Sequence, residues 1–353
     1  MKLNTLNKIR NFLANHCEPQ VESFIGKYIR NRHRTGENCF AIDKTDIIEN
    51  IRQPNCYNFM ICLPLLNDFK NINQTLIKIN NSLKPRGIFV GRVETLGIRK
   101  RRIASFHNKF SYKIIILYEF IFKRVLPKVF GIRHIYKKFR IIKHHIMSKC
   151  EVLGRLQYCG FEIIDIKKTD KFLYFIACKN SQPSREKSRD GILIKIPKVG
   201  KNGKPIYCYK LRTMHAYADY LHNYILINYQ LDKEGKVIGD FRKTNWGGFL
   251  RKTWLDEIPQ LYNILKGDLS FIGLRPLSRE FLKKYPESWR KERMKIKPGF
   301  VPPYYADCPK SFDEIIESEK RYYELKMKHP ITTDIVYFLK VLTNFVLRRT
   351  RTG

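Results

Sequence analysis

Leu250-Arg251-Lys252-Thr253-Trp254-Leu255-Asp256-Glu257-Ile258-Pro259-Gln260 sets two adjacent carboxylates among cations. Such a field suits phosphate chemistry, because a carboxylate approaches an anionic diphosphate only where positive groups neutralise the phosphoryl oxygens. Lys266-Gly267-Asp268 and Gly273-Leu274-Arg275-Pro276 follow closely, so acids, bases and tight turns share one short segment. A blander reading exists: Thr253-x-x-Asp256 fits a capping box, which would make Asp256 a structural cap and Glu257 a surface residue. Taken alone, the box favours that role. Arg242, Arg251, Lys252 and Arg275 nearby, with Pro259 where an ordinary helix does not place one, shift the balance toward chemistry.

Upstream, residues 192–196 and 206–209 read as strands joined by the lysine-rich turn Lys198-Val199-Gly200-Lys201-Asn202-Gly203-Lys204-Pro205. Lysines at a hairpin tip are ordinarily solvated. Lys210 and Arg212, in Lys210-Leu211-Arg212-Thr213-Met214, differ because a period of two puts both on one strand face. Toward the C-terminus, Ile335, Phe338, Leu339, Leu342, Phe345 and Val346 fall on one helical stripe, with Asp334 in its first turn and Arg348-Arg349 in its last. Such a stripe is more often core than membrane contact, although its aromatic weight and basic end also allow it to rest on a bilayer. Tyr304, Tyr305, Asp307 and Lys310 read as a polar loop, first a surface loop and second a substrate contact.

The first half has a different grammar. Residues 57–66 read as a buried strand, 71–83 as a helix, Lys84-Pro85-Arg86-Gly87 as a turn, 88–93 as a second strand and 172–178 as a third. The strand-helix-turn-strand order resembles the second half of a class I methyltransferase fold. The Gly-rich loop that would hold a methyl donor is missing upstream, where only Gly26 and Gly36 occur. Residues 1–180 are therefore expected to form a degenerate α/β module, structural rather than catalytic. The polar run 181–189, with Pro183, reads as a linker, and a second domain is expected over 190–353.

Composition restricts the partners. The chain has 353 residues, and 68 Lys and Arg against 32 Asp and Glu give a net charge of +36, which favours polyanions: nucleic acid, nucleotide phosphates or anionic lipid. The nine cysteines contain no CxxC pair and read as reduced thiols. No signal peptide opens the sequence, and no run reaches the roughly 20 apolar residues of a membrane-spanning helix. Residues 99–149 carry fifteen Lys or Arg and one acid, Glu119, mixed with Ile114-Ile115-Ile116-Leu117-Tyr118 and Phe120-Ile121-Phe122. Such a segment suits an anionic bilayer surface, or packs on the protein as a basic helical hairpin, with Pro127 expected to kink it.

The ordered set Lys210-Leu-Arg-Thr-Met214, Arg242 to Thr253, Leu255-Asp-Glu-Ile-Pro-Gln-Leu261, Asn263 to Ser270 and Gly273-Leu-Arg-Pro276 resembles the bacterial sugar transferase family, the monotopic phosphoglycosyl transferases. The resemblance implies an α/β protein: the degenerate methyltransferase-like module followed by a membrane-associated α+β phosphoglycosyl transferase domain. It implies transfer of a phosphosugar from a nucleotide sugar, usually a UDP-sugar, to polyprenyl phosphate with release of UMP, initiating capsule, exopolysaccharide or O-antigen synthesis. Asp256 would be a nucleophile forming a covalent intermediate, and Glu257 would help hold Mg²⁺. Lys210, Arg212, Arg251, Gln260 and Arg275 are the candidate phosphate and substrate ligands. The expected location is the cytoplasmic face of the bacterial inner membrane, monotopic or peripheral. The family's Gly-Pro-Arg-Pro becomes Gly273-Leu274-Arg275-Pro276, which keeps the Arg. Its Pro-Gly-Ile-Thr-Gly-Trp becomes Pro298-Gly299-Phe300-Val301-Pro302-Pro303, which bears on sugar preference. A basic nucleic-acid-binding protein is the alternative, though no reading motif accompanies the charge.

Overall fold

A computed structural model describes residues 2–3, 11, 13–16, 18–32, 38–45, 54–129, 131–139, 144–185, 190–230 and 237–347. Gly36, Arg348-Arg349 and the end of the linker, 186–189, lie outside the described residues. The chain divides into two compact units, Met1–Gly191 with Met214–Arg242, and Ile192–Thr213 with Lys243–Gly353.

In the first unit, β1 (Lys2–Leu3), β2 (Cys39–Ile42), β3 (Tyr57–Leu65), β4 (Leu83–Val93), β5 (Phe161–Lys168) and β6 (Leu173–Lys179) form one sheet ordered β1-β2-β3-β4-β6-β5. Strands β2, β3 and β4 are parallel, whereas β6 enters antiparallel between β4 and β5. The helices include α1 (Pro19–Arg32), α2 (Ile72–Ser82), α3 (Leu96–Phe106), α4 (Lys109–Tyr118), α5 (Lys149–Tyr158) and α6 (His222–Asn228), and a further short helix spans Ile132–Lys138. The sheet separates two cores because side chains alternate along each strand. Met60, Cys62 and Phe89 meet Leu76 of α2 and Leu153 of α5, whereas Phe59, Ile61 and Val90 meet Val21 and Ile25 of α1. The expected Lys84–Gly87 turn is an interruption within β4: pairing jumps from Tyr57↔Leu83 to Phe59↔Ile88, and Arg86 takes φ 63°. Pro127 sits at the start of a 3₁₀ turn, Leu126–Lys128, where the chain leaves a π-helical stretch, Glu119–Val125.

The expected second domain is interrupted, because Met214–Arg242 folds with the first unit. Burial decides this. Ala216, Tyr217, Leu221 and Ile225 join the core that contains α2 and α5. The Tyr217 hydroxyl accepts from Asn73 at 2.7 Å and from Arg155 at 3.1 Å. Its backbone approaches α5 so closely that a Cβ on Gly154 would lie 2.4 Å from the Tyr217 carbonyl oxygen.

The second unit opens with a hairpin of β7 (Leu193–Val199) and β8 (Pro205–Leu211), turning through Asn202 and Gly203 at φ 56° and 73°. Both strands outrun the expected ones, so Lys198 belongs to a strand and not to the turn. Then come α7 (Asn245–Lys252), a 3₁₀ helix Leu255–Gln260, α8 (Leu261–Leu265), β9 (Ser270–Ile272), α9 (Glu287–Arg293), β10 (Gly299–Val301), α10 (Phe312–Lys328) and α11 (Pro330–Val346). Strands β9 and β10 pair in parallel, and Gly273 and Gly299 allow their backbones to cross: a Cβ on Gly299 would stand 2.1 Å from the Gly273 nitrogen. The core gathers Leu274, Tyr285, Trp289, Tyr322, Tyr337 and Val341. Within it, Arg293 pairs with the fully buried Glu319 at 3.1 Å, and Tyr285 and Trp289 also donate to that carboxylate. Removing one partner of such a pair strands a buried charge, at a cost of about 3–5 kcal/mol.

The expected core stripe of α11 faces the other way. Thr333, Tyr337 and Val341 are buried, while Ile335, Leu339, Leu342 and Val346 are exposed. Tyr337 packs against Tyr322 at 5.0 Å, and the Tyr322 hydroxyl donates to Asp334 at 2.8 Å, so an aromatic and polar face seats the helix. No helix of the described residues is long and apolar enough to cross a membrane.

Candidate active site

One face of the hairpin supplies the floor of a cleft. Ile196 and Lys198 on β7 and Cys208 and Lys210 on β8 share that face, as the period of two and the Ile196↔Cys208 register require. The 3₁₀ helix Leu255–Gln260 supplies Glu257 and Gln260, and the turn after β9 supplies Arg275 and Pro276. Phe300, Pro302 and Tyr305 close the cleft. Asn263, fully buried, fastens the adjoining α8 to β8: its side chain accepts from the Tyr209 N–H at 3.0 Å and donates to the Tyr207 carbonyl at 2.7 Å.

The acidic pair owes its position to a reversal at Trp254, a left-handed residue at φ 59°. A non-glycine there costs about 1–2 kcal/mol, and ring packing against Tyr305 at 4.7 Å and Phe345 at 5.7 Å holds it. The capping box does not form. The Thr253 hydroxyl donates backward to the Phe249 carbonyl at 2.9 Å, finishing α7, and the following 3₁₀ helix has no side-chain cap. Asp256 is thus free of capping duty.

Glu257 is held on both oxygens. The Lys210 ammonium pairs with Oε1, and Gln260 donates to Oε2 at 3.1 Å. Arg275 donates to the Tyr304 hydroxyl at 2.6 Å, while Arg293 donates to the Arg275 carbonyl at 3.1 Å and so ties the cleft to the buried Glu319 pair. Burial opposes the charge of Arg275, but the Tyr304 and Tyr305 oxygens outweigh it and raise its pKa. Burial lowers the pKa of Lys198 below the usual amine range, and repulsion from Arg275 and Lys210 adds to this. Asp256 is only 8% exposed; burial pushes its carboxyl up, Glu257 adds to the shift, and Lys210 and Arg251 oppose it.

Among the described residues, no group of three or more His, Cys, Asp or Glu side chains could hold a metal ion. Mg²⁺ is usually bound by one or two carboxylates together with substrate phosphates. Glu257, a carboxylate at the wall of a cation-lined cleft, fits that lesser requirement.

Residues 175–347 match the family described as bacterial sugar transferase. The match spans just under half of the chain and includes the whole of the cleft. A galactosyl transferase of Streptococcus agalactiae is 36% identical over 35% of this chain and 28% of its own length. The undecaprenyl-phosphate galactose phosphotransferase of Salmonella typhimurium is 41% identical over 25% and 20%. A UDP-N-acetylgalactosamine-undecaprenyl-phosphate N-acetylgalactosaminephosphotransferase of Aeromonas hydrophila is 30% identical over 43% and 35%. The chain therefore covers about a third or less of each of these relatives. Among solved structures, an S-adenosylmethionine-dependent methyltransferase from Mesorhizobium loti is 13% identical over 37% of this chain and 66% of its own, with a TM-score of 0.23. A likeness that weak supports no conclusion about the first unit.

In the sugar transferase part, Lys210, Glu257, Gln260 and Arg275 come together in the cleft. Asp256 lies one residue behind the lining Glu257. Arg212 and Arg251 do not line the cleft: Arg212 lies beyond the end of β8, buried, and Arg251 donates to the Thr213 hydroxyl at 3.0 Å. Lys210 and Arg212 therefore part company, because the strand ends at Leu211. Lys198 and Tyr305 are cleft residues that sequence reading left at a solvated turn and a surface loop. Extending the period of two across the hairpin pairs Lys198 with Ile206 and places it on the Cys208–Lys210 face.

Proposed function

We propose that this protein transfers a phosphosugar from a nucleotide sugar, a UDP-sugar in our reading, to polyprenyl phosphate, releasing UMP and initiating capsule, exopolysaccharide or O-antigen synthesis. One observation carries the reading: Lys198, Lys210 and Arg275 converge with Glu257 on one cleft, next to the buried Asp256. Opposing cations let an anionic nucleophile and an anionic diphosphate meet. The Salmonella and Aeromonas relatives are both named for transfer to undecaprenyl phosphate, which supports the acceptor, and the Aeromonas relative is named for a UDP-sugar, which supports the donor.

In this account an Asp256 carboxylate oxygen bonds to the sugar-bearing phosphorus as the phosphorus–oxygen bond to UMP breaks, and UMP leaves with the electron pair. A phosphate oxygen of polyprenyl phosphate then attacks the same phosphorus, giving the polyprenyl diphosphate sugar and returning the free carboxylate. Two displacements suit one soluble and one lipid-borne substrate, since they need not bind together. The donor must reach behind Glu257, and the partial burial of Asp256 keeps that carboxylate poorly hydrated and reactive. Arg275, braced through Arg293, suits a diphosphate because its planar fork can bond two oxygens. Mg²⁺ held by Glu257 would supply further polarisation of the phosphoryl oxygens.

The lipid acceptor calls for a bilayer, and we place the protein at the cytoplasmic face of the inner membrane as a monotopic or peripheral protein. The outward apolar stripe of α11, with the exposed Ile258, Leu261 and Leu265, supports that placement. The test is full-length protein in detergent micelles with undecaprenyl phosphate, Mg²⁺ and a panel of nucleotide sugars. At least one donor should release UMP, and Asp256→Asn should slow that release by roughly 10⁴-fold or more. Undiminished release in the variant would remove Asp256 from the nucleophile role.

A further inference from the structure

The hairpin inserted between β4 and α5 is built inside out. A helix on the surface of a soluble domain normally buries its apolar stripe and presents charge to water. Here Phe110, Ile114, Leu117, Ile121 and Phe122 recur at helical spacing and are between 36% and 74% exposed, and α4 buries no residue at all. The charged side does the packing. Arg99 donates to Glu119 at 2.9 and 3.0 Å and to Glu94 at 2.9 Å, and Lys123 reaches Glu119 at 3.0 Å. One turn on, Arg124 and Lys128 close on Glu151 at 2.9 and 3.0 Å. Glu94, Glu119 and Glu151 are each 5% exposed or less, so these bonds fix which way the helix faces.

We propose that this face of the first unit lies in the surface of an anionic lipid bilayer, its rings and aliphatic chains in the acyl boundary. The flanking charge selects the partner. Arg101, Lys109, Lys113 and Lys138 are exposed, and the only acid in 96–139 is the buried Glu119. Nucleic acid offers phosphates but no apolar phase for Ile114, Leu117 and Ile121. A second copy would bring like charge against like charge without an exposed carboxylate on this face to compensate. At 1.5 Å per residue, 109–125 is too short to span a bilayer, so the segment rests in the plane of the interface. The inference stands apart from the transferase reading, since it concerns the other unit and needs no catalysis.

Flotation of the full chain with mixed phosphatidylcholine and phosphatidylglycerol vesicles tests it. Wild type should float with these and far less with phosphatidylcholine alone. The Phe110→Ser/Leu117→Ser/Phe122→Ser variant should bind the mixed vesicles at least about tenfold more weakly. These positions are exposed, so its melting temperature should stay near that of wild type. Independently, Phe110→Trp should give an additional fluorescence component that brominated phosphatidylglycerol quenches. Unchanged flotation of the triple variant, or no quenching of Trp at 110, would overturn the proposal. A triple variant that instead loses duplex DNA binding, or that splits a wild-type dimer, would do the same by naming another occupant. UMP release in detergent micelles is independent of all these outcomes, so each reading can fail alone.

Discussion

Lys198 shows how the cleft distributes its charge. Lys210 is committed to Glu257 and Arg275 to Tyr304, whereas the Lys198 ammonium makes no ion pair or hydrogen bond among the described residues. An ammonium that burial and two neighbouring cations already disfavour gains most when a diphosphate arrives. Lys198→Met should therefore weaken binding of the cognate nucleotide sugar by about tenfold, the equivalent of about 1.4 kcal/mol, and Lys198→Arg should restore most of it. Calorimetric titration checks both, and equal affinity in wild type and Lys198→Met would contradict the assignment. Thr253 teaches a different lesson at this scale. Its spacing to Asp256 satisfies the sequence rule for a capping box, yet its hydroxyl serves the helix behind it. The rule counts residues, and only the chain reversal at Trp254 determines which helix Thr253 belongs to.

At the scale of elements, strands were the readable part. The apolar run of β3 and the helical spacing in α2 specify their type and nearly their bounds, because both faces of β3 are buried and α2 covers one of them. The hairpin β7–β8 was legible in kind but short in extent, and the error cost the reading Lys198. Amphipathic helices were legible as stripes but not as facings. Periodicity shows that apolar residues of α4 and α11 share a side, and the usual inference is that this side is core. Long-range polar contacts decide the facing: Asp334 with Tyr322 turns the α11 stripe outward, and Glu119 with Arg99 settles for α4 a facing that its sequence left open between bilayer surface and packed hairpin. The excursion 214–242 was not legible at all, since its burial depends on Asn73, Gly154 and Arg155, far away in sequence. It carries a pH-sensitive group, His215, whose Nδ1 is buried without a partner and whose pKa burial lowers from 6.5 to about 4. Above about pH 6.5 the imidazole is neutral in both states and stability is complete. As pH falls from 6.5 toward 4 the unfolded chain takes a proton that the folded one refuses, so stability drops by roughly 2–3 kcal/mol. Hydrogen exchange in β3 and β4 should accelerate across that window, and His215→Gln should flatten the part of the response due to this residue. An unchanged pH response in His215→Gln would exclude it as the source.

For the whole molecule, the two units interleave in sequence, with the transferase part surrendering Met214–Arg242 to the first unit's core. The outward helical hairpin of the first unit and the outward α11 stripe of the second each give one unit an apolar face of its own. The net charge of +36 then reads as general attraction to anionic surfaces and phosphates, with the chemistry confined to one cleft. The account rests on Asp256 becoming covalently loaded there. Intact-protein mass spectrometry after incubation with the cognate nucleotide sugar and Mg²⁺, without polyprenyl phosphate, measures this directly. The predicted result is a mass increase of one phosphosugar that maps to the peptide containing Asp256, disappears on adding polyprenyl phosphate and is missing in Asp256→Asn. An adduct that persists in Asp256→Asn, or rapid turnover to lipid product by that variant, would contradict it.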